Sequence, residues 1–499
     1  MTKRYTLCRA RLMLPLTEKE PGLRISDGYI LTEGSRIAEA GAYTAETGQR
    51  LLRQYGRQLA VMGLDERDAV DSSSHVPMFN GVLMPAFVKA HGHDHEQPLI
   101  GIAKDEPLTS WLDHAVNPFT GFINRFQREL MEELGCSPQL ATYRMARLCD
   151  IHYGITSSMV HHCNHNKYHL SDIARANQTA GTTMIVAVGS QDRNYVEDLL
   201  DEPGEAVARL NRALELGPYP RTSFCPGPDQ FFSNSRETLI PLKNWAREHG
   251  TLFHIHSSEE PATTRWFRQE VEPGMTPVQY ANSIGVLDED TVLAHQVNCG
   301  PRDLDILAET GTKVVHNPLA NTILGSGMPP VIEMMARGIP VAISTDGSGS
   351  ADNQNILSAA RLAAQYQKAF KQDATLLKSE QLLQMITRIP SNMLGLNQGE
   401  LAEGRDADWI LIDLNRPNMV PTREDNVMEN LIWASDGSEI HTVVSKGKVL
   451  KRAGKVQPFS DGSTPREIMN KVQMLSEHFT AYRGQAEELS GTGAHRASV

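Results

Sequence analysis

Between residues 82 and 345, short apolar runs alternate with helix-patterned stretches, and this alternation constrains the fold most. The runs are VLMPAFVKA (82–90), ITSSMV (155–160), TTMIVAVG (182–189), RTSFCPG (221–227), TLFHIH (251–256), TVLAHQV (291–297), KVVHNP (313–318) and PVAIST (340–345). Helix-patterned segments such as LSDIARANQTAG, ETLIPLKNWAREHG, TPVQYANSIG and PRDLDILAETG lie between them. Strand-then-helix order repeated in this way predicts parallel βα units. Eight such units spread over ~300 residues fit a (β/α)8 TIM barrel better than an open sheet. The expected fold class is therefore α/β.

The flanks have a different texture. Residues 1–84 are turn-rich with short strand-like runs, and Asp27-Gly28 reads as a hairpin turn. Strand texture returns in ADWILIDL (407–414) and in HTVVSKGKVL (441–450), the latter with a Lys446-Gly447 turn. Residues 1–84 and 401–460 are thus expected to form one small composite β-sandwich domain beside a barrel at 85–400. From Pro465 the chain reads as a helix, and residues 461–499 are expected to be that helix followed by a disordered small-residue tail.

Charge and cysteine usage narrow the class. There are 48 Lys and Arg against 60 Asp and Glu, a net charge of −12, which argues against nucleic acid as the partner. No apolar run approaches the ~20 residues of a membrane span, and the N-terminus lacks a signal-peptide apolar core. The six cysteines are scattered with no CxxC pair, as expected for reduced thiols rather than a cysteine-type zinc site. A soluble cytoplasmic protein is expected, with no membrane partner.

The histidines carry the chemistry. Polar residues at the ends of buried parallel strands need a reason, and in a barrel those ends face the active site. Here they are His91 and His93, His256, His295, His316 and Asp346. Residues two apart on a strand point the same way, so His91 and His93 form half of a metal site. His256 and Asp346 can complete it from opposite strands, giving a ligand set that suits zinc or iron. His254 shares a strand face with His256 and is an alternative ligand.

The motifs PAFVKAHGH (85–93), HIHSSEE (254–260), VLAH (292–295), HNPLANTILGSG (316–327) and STDGSGS (344–350) follow in order, with GELAEGRDADWILID (399–413) and VVSKGKVL (443–450) after them. In this the chain resembles the amidohydrolase superfamily, in its branch of cytosine-deaminase-like aminohydrolases and triazine hydrolases. The resemblance implies one divalent metal ion, zinc first and iron second, held by His91, His93, His256 and Asp346. It implies that Glu259 handles protons, that His295 orients water or leaving group, and that Asp346 touches both metal and nucleophilic water. No lysine lies on ITSSMV, so a single-metal site is expected. The implied reaction is hydrolytic deamination of an N-heteroaromatic or amidine-bearing small molecule by metal-bound hydroxide, releasing ammonia or an amine. Alternatives are hydrolysis of a cyclic amide or ring C–Cl bond and, ranked low, an inactive scaffold. Related enzymes suggest a homo-oligomer, a dimer or larger.

Gln97, Trp111, His161 and Asn321 are candidates for substrate contact, with Gln230 a further one. The cluster HHCNHNKYH (161–169) invites a second-metal reading, against which adjacent histidines point to opposite sides of a strand. Two departures from the family pattern stand out. Pro85-Ala86 replaces proline-glycine, and Ser350 is followed by Ala351 where the family's aspartate motif continues with asparagine; AHGHDHEQPL also carries an extra His95 with two acidic residues in the loop that shapes specificity in related enzymes.

Overall fold

The computed structural model describes residues 4–65, 70–162 and 164–490. The expected tail, 491–499, lies outside the described residues, as does Cys163. Eight short strands carry the alternation: β1 (Phe87–Lys89), β2 (Ile155–His162), β3 (Thr183–Ser190), β4 (Thr222–Pro228), β5 (Phe253–Ser257), β6 (Thr291–His295), β7 (Lys313–His316) and β8 (Val341–Ile343). They form two four-stranded parallel sheets, β1-β2-β3-β4 and β5-β6-β7-β8. Beyond the end of β4 an isolated parallel bridge pairs Gln230 with His256 of β5. Across the other gap the Ser344 hydroxyl donates to the His91 carbonyl at 2.6 Å and accepts from the His91 amide at 3.2 Å.

Helices Leu170–Ala180, Arg236–His249, Pro277–Ser283 and Pro301–Thr310 occupy the positions expected from the pattern. Helices cover the outer faces, so outward side chains such as Val160, Val186, Phe253, Leu293 and Val314 join the main apolar core. The inward side chains Val88, Met159, Ala187, Cys225, Val292, Val315 and Ala342 pack into one cluster that draws on both sheets. Burial on both faces is why these strands read as unbroken apolar runs.

Nine further strands make one connected sheet from both chain ends. Its order is Lys455–Val456, Lys448–Arg452, Ile440–Ser445, Trp409–Asp413, Phe79–Pro85, Tyr5–Met13, Ile25–Glu33 and Arg36–Ala42, with Leu59–Val61 pairing on Tyr5–Met13. In place of an expected two-layer sandwich, this single sheet is apolar on both faces. Val82, Met84, Ile410 and Ile412 join the main core, while Leu83, Trp409 and Leu411, one residue out of phase, pack on the opposite side.

Two local expectations are corrected. VLMPAFVKA is not one strand: Phe79–Pro85 pairs in the nine-stranded sheet, Ala86 is the break, and Phe87–Lys89 starts the parallel sheet. Asp27-Gly28 is not a hairpin turn but lies inside Ile25–Glu33. Asp27 adopts φ 56° there and its carboxylate is held by the Arg9 guanidinium through two 2.7 Å hydrogen bonds. Gly28 is required because a Cβ would collide with Met13. The Lys446-Gly447 turn is observed, with both residues in the left-handed region.

Between β1 and β2 the chain builds the helices Leu108–Trp111, Asn117–Arg125, Gln127–Leu134 and Pro138–His152. Leu108, Trp111, Phe119 and Phe122 form a separate apolar core there, closed by Leu475 and Phe479 of the C-terminal helix Pro465–Ser490. That helix was expected. Its docking beside the site's wall was not legible, because helical periodicity does not say which partner covers the apolar stripe.

Candidate active site

Five imidazoles converge where the strands end. His91 and His93 follow β1, His254 and His256 lie on β5, and His295 ends β6. Hydrogen bonds to Nδ1 set their tautomers. His256 Nδ1 donates to the Asp229 carbonyl at 2.7 Å, and His93 Nδ1 to the His161 carbonyl at 3.1 Å. His254 Nδ1 donates to the Val292 carbonyl at 2.9 Å, so its Nε2 is an acceptor and takes the Nδ1–H of His91 at 2.7 Å. In each of His91, His93 and His256 the free lone pair is therefore on Nε2.

Those lone pairs meet one carboxylate. Asp346 Oδ1 lies 3.3 Å from His91 Nε2 and 3.5 Å from His93 Nε2. His93 Nε2 and His256 Nε2 stand 3.1 Å apart, and His91 Nε2 is buried with no hydrogen-bond partner. Proton-free nitrogens crowded around a carboxylate without donors between them are the donor set of a divalent cation, so the residues fit a metal ion. Burial lowers the proton affinity of all three rings, holding His256 at about 3 and the other two well below their ordinary value. The ambiguity between His254 and His256 resolves here: both nitrogens of His254 are engaged, and it orients His91 instead. Carbonyl-to-imidazole-to-ligand relays of this kind tune metal sites. His254→Phe, which keeps a planar ring and removes the acceptor, is expected to weaken metal binding by ~10–100-fold. Competition with a chelating dye measures it, and unchanged affinity would remove the orienting role.

Two groups face the opposite side of Asp346. His295 donates from Nδ1 to Asn321 Oδ1 at 2.8 Å, leaving Nε2 to face Asp346 Oδ2 at 3.7 Å and Glu259 Oε2 at 3.4 Å. Burial, with Asp346, Glu260 and Asp229 nearby, raises the Glu259 carboxyl well above the usual carboxylate range. That shift favours its acid form, which can donate a proton toward the cavity or His295. Non-glycine residues at the site carry positive φ, 76° at His295 and 67° at Asp346. Such conformations cost ~1–3 kcal/mol each and cluster where side-chain aim matters more than backbone comfort.

A cavity of about 430 Å³ opens onto these groups. His93, His256, Glu259, His295 and Asp346 line its floor, while Trp111, Leu112, Val116, Phe232 and Leu324 give an apolar wall. Part of that wall is a π-helical turn, Leu112–Val116, a distortion frequent at functional sites.

The four expected substrate contacts fare differently. Trp111 lines the cavity, as does Gln230. Gln97, Asn321 and His161 are not among its lining residues. The Gln97 side-chain Oε1 accepts from the Ser348 hydroxyl at 2.8 Å, and Asn321 is spent on orienting His295. His161 stacks edge-on against His256, its ring centroid 4.5 Å away, with Nε2 3.4 Å from the Pro228 carbonyl. Among the described residues of 161–169, only His161 joins a group able to hold a metal, and it does so with His93 and His256. His316 is buried behind His295 with neither ring nitrogen bonded. Glu260 accepts from Thr109 at 3.0 Å, tying the cavity wall to the end of β5.

Sequence reasoning did not assign His95 and Glu96, which line the cavity; the signal was the extra charge in AHGHDHEQPL. Asp94 of that loop turns away into a buried network, where Lys89 contacts Asp94 at 3.2 Å and Asp150 at 3.0 Å, and Arg147 contacts both acids.

Fold and site together define a metal-dependent hydrolase type of centre on parallel βα units. Residues 82–450 match the Amidohydrolase family, and the chain belongs to that family. A 5-methylthioadenosine/S-adenosylhomocysteine deaminase of Haloarcula marismortui is 29% identical over 427 residues, covering 84% of this chain and 92% of that protein. A 5′-deoxyadenosine deaminase of Methanothermobacter thermautotrophicus is 29% identical over 377 residues, covering 75% and 83%. Among solved structures, a zinc-bound adenosine deaminase from Xanthomonas campestris superposes with a TM-score of 0.79 at 19% identity, covering 95% of this chain and 98% of that one. The atrazine chlorohydrolase of Arthrobacter aurescens, complexed with zinc, gives 0.75 at 21% identity, covering 94% and 100%. Among the described residues, no helix is long and apolar enough to cross a membrane.

Proposed function

We propose that the protein is a metal-dependent aminohydrolase that removes ammonia from a heteroaromatic amine. Its two parallel sheets are the halves of one (β/α)8 barrel spanning 85–400, with 1–84 and 401–460 as the composite small domain. The shared inner cluster drawn from both sheets supports that reading.

The observation that carries the function is the pairing of a donor-free set, His91, His93, His256 and Asp346, with a protonated Glu259 on the cavity floor. These four residues would hold the metal, and zinc is the ion bound in the structural neighbours. When bound, the ion acts as a Lewis acid that makes water acidic enough to be a nucleophile at neutral pH.

The remaining steps belong to side chains. Asp346 and the Nε2 lone pair of His295 accept the proton of the attacking water. The ring carbon bearing the amino group is held against the apolar wall by Trp111. Glu259 donates its proton to the neighbouring ring nitrogen as negative charge develops there. Once reloaded with a proton relayed through His295, 3.4 Å away, it can serve the departing amine.

Zinc-loaded protein is expected to release ammonia from at least one member of a panel including 5′-deoxyadenosine, 5-methylthioadenosine, guanine, a pterin and an aminotriazine. A chelator should abolish the release and zinc restore it. Disappearance of substrate without ammonia would move the reaction to another ring bond.

A further inference from the structure

The buried network beside the histidine ligands takes no step in the proposed reaction, yet it touches the groups that do. Lys89 ends β1, two residues before His91, and is 1% exposed. Its three ammonium protons are matched by three acceptors: Asp94 Oδ1 at 3.2 Å, Asp150 Oδ1 at 3.0 Å and Gln354 Oε1 at 3.1 Å. Arg147 contacts the same two acids. Burying an ammonium is costly, and buried ion networks are a weak device for stability. What this one supplies is geometry.

Gln354 connects the network to Asp346. Its Nε2 donates to the Asp346 carbonyl at 3.1 Å, and its Oε1 accepts from the Thr345 hydroxyl at 2.7 Å as well as from Lys89. The ammonium fixes the orientation of the amide, because a flipped amide would set donor against donor. Gly92, between His91 and His93, packs against the same groups: a Cβ there would stand 3.1 Å from both the Asp346 carbonyl oxygen and Lys89 Cε. Asp346 needs such support. Its φ of 67° persists only where the surroundings over-determine it. In that conformation Oδ1 lies 3.3 Å from His91 Nε2 and 3.5 Å from His93 Nε2.

We propose that Gln354, anchored by Lys89, is a positioning residue for the metal site: by gripping the Asp346 carbonyl it holds the Asp346 carboxylate among the lone pairs of His91 and His93. The proposal rests on the metal-binding reading of those residues.

Zinc affinity of the full chain, measured by competition with a chelating dye, is the test. Gln354→Met removes both hydrogen-bonding ends and is expected to weaken zinc binding by ~10–100-fold. Gln354→Glu keeps an acceptor for Lys89 and Thr345 but sets an oxygen against the Asp346 carbonyl, and the same loss is expected. A residue that only stabilised the fold would lower affinity equally with and without the carboxylate. A positioning residue has nothing to aim in an Asp346→Ala background, so there each Gln354 substitution should change affinity by about 2-fold or less. Wild-type affinity in either single Gln354 variant, or the same loss in both backgrounds, overturns the proposal. Should Gln354→Met fail to fold, Gln354→Glu carries the same comparison. Wild-type protein that binds no zinc would instead remove the metal reading, and this proposal with it.

Discussion

Glu259→Gln is expected to lower kcat by ~10²–10⁴ while the protein keeps its zinc. The amide preserves size and can still hydrogen-bond toward His295 Nε2, 3.4 Å from the present carboxyl oxygen, but it has no proton to give. Burial and three neighbouring acids raise the Glu259 carboxyl well above the usual carboxylate range, which favours the acid form. Ionisation of Glu259 should therefore add an alkaline limb to the activity profile. The residual activity of Glu259→Gln should lack that alkaline limb. Ammonia release across pH, paired with metal analysis, measures both effects. An unchanged kcat would take Glu259 out of the reaction, whereas loss of zinc would make it a ligand.

What could be seen beforehand follows from the kind of signal each feature leaves. The strands announced themselves because burial on both faces produces unbroken apolar runs. His91, His93, His256 and Asp346 stood out because buried strand ends rarely carry polar groups without cause. The break at Ala86 was hidden, since strands of two different sheets run on within one apolar segment. Asn321 and His254 were hidden for another reason. Their roles lie in hydrogen bonds to His295 and His91 across 26 and 163 residues of sequence, and such pairings leave no local pattern. Asp27-Gly28 misled because its positive φ is real, but it serves a distortion within a strand rather than a turn.

The cluster that makes the site also makes the fold sensitive to acid. His95 and His254 are held near pKa 4, and His162, His256 and His316 near 3, in each case chiefly by burial. Unfolded histidine titrates near ~6.5. The sign follows: below that value the unfolded chain binds protons that the folded protein refuses. The stability due to neutral burial is thus complete above pH 6.5 and is lost as pH falls toward 3–4. Each group loses about 2 kcal/mol by pH 5. Glu96, raised to about 8, works the other way, as does Glu259, because protonation of the unfolded chain near ~4.5 removes a penalty that both impose at neutral pH. The buried histidines held low, which also include His91, His93, His161 and His295, outnumber the buried acids held high, Glu96, Glu259, Asp150 and Asp408, so acid brings a net loss of stability. The melting temperature is expected to fall steeply between pH 6.5 and 5. Thermal melts from pH 8 to 5, with and without chelator, test this. A melting temperature that holds constant from pH 7 to 5 would mean that these histidines are not buried in the neutral form.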